Sequence, residues 1–158
     1  MPLHALLEGP TTTGIASGAP RAFRRLFGTR LSTLEREINQ AAAQGFRVTA
    51  AMGGDVLLER SEDATVKHAY RLVAAGGLPT LVRDVRQAGR EGYRVVPATT
   101  VLNAVVLERS SVRSAVFEYA FLDARVEPDR LMTAFEKNGF VVVSMSALPV
   151  PIVILEKG

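Results

Sequence analysis

Apolar residues recur along the chain in two rhythms. Leu34, Ile38, Ala41 and Ala42 fall at i, i+4, i+7 and i+8, on one face of a helix. The rhythm returns at Leu81, Val85, Ala88 and Gly89, and again at Pro128, Met132, Phe135 and Glu136, where Leu131 widens the face. After each predicted helix comes a stretch rich in β-branched and aromatic residues, 46–52, 93–99 and 140–146, which reads as a strand. Turns are predicted at 53–55, 101–103 and 148–151, each leading into an apolar closing strand. Opening strands are predicted near 23–27, 70–74 and 119–123.

These elements belong to one unit written three times. Gly45-Phe46, Gly92-Tyr93 and Gly139-Phe140 stand 47 residues apart. The closing strands match as Val56-Leu57-Leu58-Glu59-Arg60, Val105-Val106-Leu107-Glu108-Arg109 and Val153-Ile154-Leu155-Glu156-Lys157. The opening strands match as Ala22-Phe23-Arg24, Ala69-Tyr70-Arg71 and Glu118-Tyr119-Ala120. A repeat of this length signals tandem supersecondary units. Each unit reads as strand, helix, strand, strand.

Local signals mark the helix ends. Ser32 with Glu35 fits a capping box, and Pro79 and Pro128 suit a first helical turn. Gly45, Gly92 and Gly139 suit the left-handed position just past a helix, with the aromatic after each folding back over it. The expected organisation is an N-terminal strand and linker over 1–21, then repeats over 22–60, 69–109 and 118–157. His4 to Glu8 resembles a closing strand, and 11–20 reads as a linker.

A unit of about 40 residues is too small to be stable alone. The three are therefore expected to share a core in one compact domain. The predicted class is α+β, with mostly antiparallel sheets and helices on one face. Pseudo-threefold packing is the preferred arrangement, and stacking in a row is the alternative.

Composition narrows the chemistry. The chain of 158 residues has no Cys, which excludes disulfides and thiol chemistry, and only two His, His4 and His68. No metal site and no cofactor is expected. The net charge of +3 is modest, although 16 of the 19 basic residues are Arg. No run approaches the apolar length of a membrane helix. With Met1 as the native start, a cytoplasmic location is expected; with Met1 added to a trimmed chain, the reading becomes an exported protein whose signal peptide was removed.

The unit resembles a family of short, uncharacterised bacterial β-α-β-β domains of unknown function. The residues that carry this are Tyr70-Arg71-Leu72-Val73, Glu91-Gly92-Tyr93-Arg94-Val95-Val96 and Val105-Val106-Leu107-Glu108-Arg109. That family usually has Trp after the Gly, where this chain has Phe46, Tyr93 and Phe140. The resemblance implies a fold and no catalytic residues.

Candidate sites follow from what recurs. Glu59, Glu108 and Glu156 would converge on a cation if the units ring an axis; otherwise they are solvated or paired strand ends. Arg47 and Arg94 follow the Gly-aromatic pair, but Val141 breaks the set, so they read as solvent-facing strand residues. Phe46, Tyr93 and Phe140 would line a small-ligand pocket between repeats. Arg21, Arg24, Arg25 and Arg30, interleaved with Phe23 and Phe27, would track a nucleic acid. His68 has no motif around it and reads as a surface or capping residue.

The leading reading is a non-enzymatic structural or interaction protein, an assembly or adaptor module with a protein partner or self-association through its sheet edges. Small-ligand binding and nucleic-acid binding are the alternatives.

Overall fold

The computed structural model of the chain describes residues 22–113, 115–125, 128–146 and 151–158. The expected N-terminal strand and linker, Arg21 and most of the third turn lie outside these residues. Unit one comprises β1 (Phe23–Phe27), α1 (Leu31–Ala43), β2 (Phe46–Met52) and β3 (Asp55–Arg60). Unit two comprises β4 (His68–Ala74), α2 (Leu78–Arg90), β5 (Arg94–Val101) and β6 (Ala104–Ser110). Unit three comprises β7 (Glu118–Asp123), α3 (Pro128–Lys137), β8 (Val141–Ser146) and β9 (Ile152–Lys157).

Each unit folds its strands into an antiparallel three-stranded sheet with the closing strand in the middle: β1-β3-β2, β4-β6-β5 and β7-β9-β8. The α+β class and the tandem β-α-β-β units are as expected. The second strand of every sheet slips register near its start, after Val48, Val95 and Val142. A bulge at the same place in all three units bends that edge strand.

The helix faces follow the periodicity. Leu34, Ile38, Ala41 and Ala42 of α1, and Leu81, Val85 and Ala88 of α2, are all at most 1% exposed. Burial of each such Leu, Ile or Val contributes about 1.5–3 kcal/mol. Gly45, Gly92 and Gly139 adopt φ of 96°, 90° and 89°. At α2 and α3 the amides of Tyr93 and Phe140 reach back to the carbonyls of Ala88 and Phe135, at 2.9 and 3.1 Å. This closes the helix end on its own orphan carbonyls. Phe140 then packs edge-on against Phe135, with ring centroids 5.4 Å apart.

The capping box does not form. Arg30 occupies the N-cap of α1 with no side-chain capping bond. Glu35 points elsewhere, and its carboxylate accepts the Leu72 amide of β4 at 2.8 Å. Tertiary pairing takes the side chain that the local motif assigned to the helix start.

The cores set the order of the units. One core joins α1 and sheet one to Tyr70, Leu72, Val101, Ala104 and Val106 of unit two. A second joins α2 and the other face of sheet two to Phe117, Tyr119, Val143, Ile152 and Ile154. A third, smaller core lies within unit three alone. Closure about a pseudo-threefold axis would need unit three against unit one. The shared cores instead run from one to two and from two to three, so the units stand in a row. Each inner helix is buried between its own sheet and the next.

The row has unlike ends. On the outer face of sheet one, Arg25 pairs diagonally with Asp55 where the other two sheets carry apolar residues at the same positions, Leu72 with Ala104 and Phe121 with Ile152. On α3, Glu136 is exposed at the position filled by buried Ala42 in α1 and by Gly89 in α2. Polar outer faces of this kind end repeat arrays.

Candidate functional site at the joints between units

Tyr70 and Tyr119, with Glu156 beside the latter, are buried polar side chains that sit at the two joints. At the first, Tyr70 of β4 lies opposite Glu108 of β6. The Tyr70 hydroxyl donates to Glu108 Oε2 at 2.5 Å and accepts the Val48 amide of unit one at 3.0 Å. Arg47 of unit one grips both oxygens of Glu108, Nε to Oε2 at 3.1 Å and Nη2 to Oε1 at 2.9 Å. A forked, charge-assisted contact of this type is strong and directional.

The second joint repeats the first. Tyr119 lies opposite Glu156 on sheet three. Its hydroxyl donates to Glu156 Oε2 at 2.7 Å and accepts the Val95 amide at 2.8 Å. Arg94 Nε donates to Glu156 Oε1 at 3.0 Å. Glu156 is only 3% exposed, against 15% for the Glu108 side chain.

The electrostatics follow from this packing. Burial, reinforced by the facing carboxylates, pushes both tyrosine hydroxyls above their ordinary range, so they stay protonated donors. Burial alone would raise the Glu108 carboxyl, but the hydrogen bonds from Arg47 and Tyr70 outweigh it and hold the group below its ordinary value. The Glu108 hydrogen bond in turn raises Arg47. Burial lowers His68, at the head of β4; Arg47 adds to this and Glu108 opposes it.

The helix side of the first joint is also polar. Asn39 of α1 reads the edge of β4 like a missing strand. Its Nδ2 donates to the Tyr70 carbonyl at 2.9 Å, and its Oδ1 accepts the Tyr70 amide at 2.8 Å. With Glu35 one helical turn earlier, α1 satisfies two amides of an otherwise open edge.

Other expected residues lie apart. Phe46 is buried in its own unit, with the guanidinium groups of Arg24 and Arg60 at 4.3 and 4.6 Å from its ring centre. Arg71 and Arg109 flank Tyr93 in the same way, at 4.3 and 4.7 Å. Lys157 covers Phe140 at 5.8 Å. The three aromatics therefore occupy three separate core edges. A cleft of about 490 Å³ opens beside the first joint, lined by Arg47, His68, Arg94, Glu108 and Arg113 among others, and none of the three aromatics borders it.

Within the basic segment, Arg24 turns to Gln44 and Phe46 while Arg25 pairs with Asp55. Successive strand residues face opposite sides, so the two do not share a track. Arg30 sits at the start of α1. Glu108 and Glu156 engage separate joints, and no group of three or more metal-ligating side chains occurs among the described residues.

Arg47 and Arg94 are exposed strand residues, as expected, and in addition they bridge units. The sign was present in the sequence as an offset. Arg follows the Gly-aromatic pair in units one and two, whereas Tyr opens units two and three. Three units in a row have two joints, and each joint takes Arg from the unit before and Tyr with Glu from the unit after. No helix among the described residues is long and apolar enough to cross a membrane. Comparison of the chain with protein-family models, curated proteins and solved structures finds no match.

Proposed function

We propose that the chain is a non-enzymatic structural or interaction module, an assembly or adaptor protein built by tripling a short unit of the bacterial kind it resembles. The observation that carries this reading is the Arg-Tyr-Glu joint, formed twice with the same partners. Its ionisable groups hold layers together: the tyrosines are fixed as donors and the carboxylates are neutralised by arginine. A general acid or base works with its pKa near the operating pH, and Tyr70, Tyr119 and Glu108 are driven away from it. A rigid row with open sheet edges suits binding to another protein through strand edges.

Light scattering at several concentrations, with pull-down of partners by the full chain, tests the reading. Self-association or a specific protein partner is expected. A strict monomer without a protein partner overturns it.

One observation favours a second reading, small-ligand binding. The cleft beside the first joint is large enough for a small molecule and carries Arg, His and carboxylate groups together. A thermal-shift screen of small charged metabolites tests it, and a flat screen rejects it.

A further inference from the structure

We propose that two copies of the chain join through β8, strand against strand in antiparallel order, so that the two third sheets become one of six strands. This rests on the assembly reading above and names its edge and its partner.

Within the chain, the edges that correspond to β8 are already covered. The Val48 amide of β2 and the Val95 amide of β5 each donate to a tyrosine of the following unit. Val142 has the same register: it lies opposite Leu155 as Val48 lies opposite Leu58 and Val95 opposite Leu107. Its amide therefore points outward in the same way, and the described residues contain no unit beyond it. Where β2 and β5 carry Arg47 and Arg94, β8 carries Val141.

The strand has the character of a joining edge. Val141, Val142 and Met145 are 56%, 46% and 59% exposed. Residues 141–146 contain no charge, no Pro and no Gly, so the bulge after Val142 is the one usual edge protection that this strand carries.

A second copy of β8 fits this edge better than the front of another row. Antiparallel self-pairing places no like charges opposite each other, and a two-fold contact closes after two copies. Stacking unit one of another copy on α3 would press Glu136 where the inner joints have Ala42 and Gly89. It would also bury the Arg25–Asp55 pair and present Phe23, which has no hydroxyl for the Val142 amide.

The test is sedimentation velocity of the full chain across a wide concentration range, beside Val141→Arg, Met145→Lys and the control Val112→Lys. All three positions are exposed, and circular dichroism checks that each variant folds. A concentration-dependent dimer is expected, weakened about tenfold or more by either β8 variant and unchanged by the control. A monomer throughout overturns the inference, as does a dimer that neither β8 variant moves. An unmoved dimer leaves the assembly reading standing on another surface. A monomeric chain that takes a different protein on β8 keeps that reading and rejects the second copy, whereas a monomer with no partner rejects both.

Discussion

The Arg47 guanidinium crosses from unit one to unit two and holds both carboxylate oxygens of Glu108, at 3.1 and 2.9 Å. Tyr70 completes the cluster by linking the same carboxylate to the Val48 amide. Tyr70→Phe removes the donor to Glu108 and leaves a buried amide without its acceptor. A loss of about 1–3 kcal/mol is expected. Combined with Arg47→Ala in a double-mutant cycle in urea, the two changes should be non-additive by about 0.5 kcal/mol or more. Strict additivity would mean that the cluster does not act as one joint.

The two joints should differ in strength. Glu156 is almost fully enclosed, while Glu108 keeps some contact with solvent. Arg94→Ala strands a buried carboxylate with Tyr119 as its side-chain partner among the described residues, and about 3–5 kcal/mol should be lost. Arg47→Ala should cost about 1 kcal/mol, because water reaches Glu108. Urea midpoints of the two single variants decide the order.

The repeat period placed every described helix and strand in register, because Gly-aromatic pairs and apolar faces are local signals. The joints were harder to read. Arg47 alternates with buried Phe46 and Val48, which is also the mark of a solvent-facing residue, and alternation cannot distinguish water from the next unit. Phe46, Tyr93 and Phe140 recur because each packs in the core beside its own helix, although recurrence alone also fits a shared pocket. The row was legible only from the residues that fail to recur: Val141 where Arg is expected, and Phe23 where Tyr is.

Asn39 offers a separate check on the first joint. It bonds both the amide and the carbonyl of Tyr70. Asn39→Ala leaves an edge amide of β4 without this partner, and about 1–2 kcal/mol should be lost. Hydrogen exchange read at the Tyr70 amide should accelerate in the variant. Unchanged protection there would show that the strand edge does not depend on α1.

Acid should loosen the first joint in two steps. His68 and Glu108 both bind protons less readily in the folded chain than at their ordinary values of 6.5 and 4.5. As pH falls, the unfolded chain therefore takes up each proton first, and stability drops. Both contributions are complete above pH 6.5. The His68 part declines as pH falls below 6.5, and the Glu108 part declines below 4.5. Urea midpoints followed against pH should lose the upper step in His68→Gln and show a smaller lower step in Glu108→Gln. A wild-type midpoint flat from pH 7 down to 4 would contradict the assignment.

Two glycines of unit two should respond unequally to alanine. Gly89 lies in α2 with its carbonyl accepting the Phe117 amide at 3.1 Å. A methyl group built there meets the Phe117 carbonyl oxygen at 2.5 Å and the Tyr119 ring at 3.0 Å. Alanine favours a helix over glycine by about 1 kcal/mol, but here that gain is opposed by a backbone contact that cannot yield cheaply. Displacing Tyr119 would also disturb its bonds to Glu156 and Val95. Gly89→Ala should therefore destabilise the chain by about 1–3 kcal/mol. Gly76 has no atom within 4 Å of the same added methyl, and Gly76→Ala should stay within about 0.5 kcal/mol of the parent. Thermal or urea unfolding of the pair measures how closely unit three is seated on α2. A neutral Gly89→Ala would mean that the second joint is looser than its distances indicate.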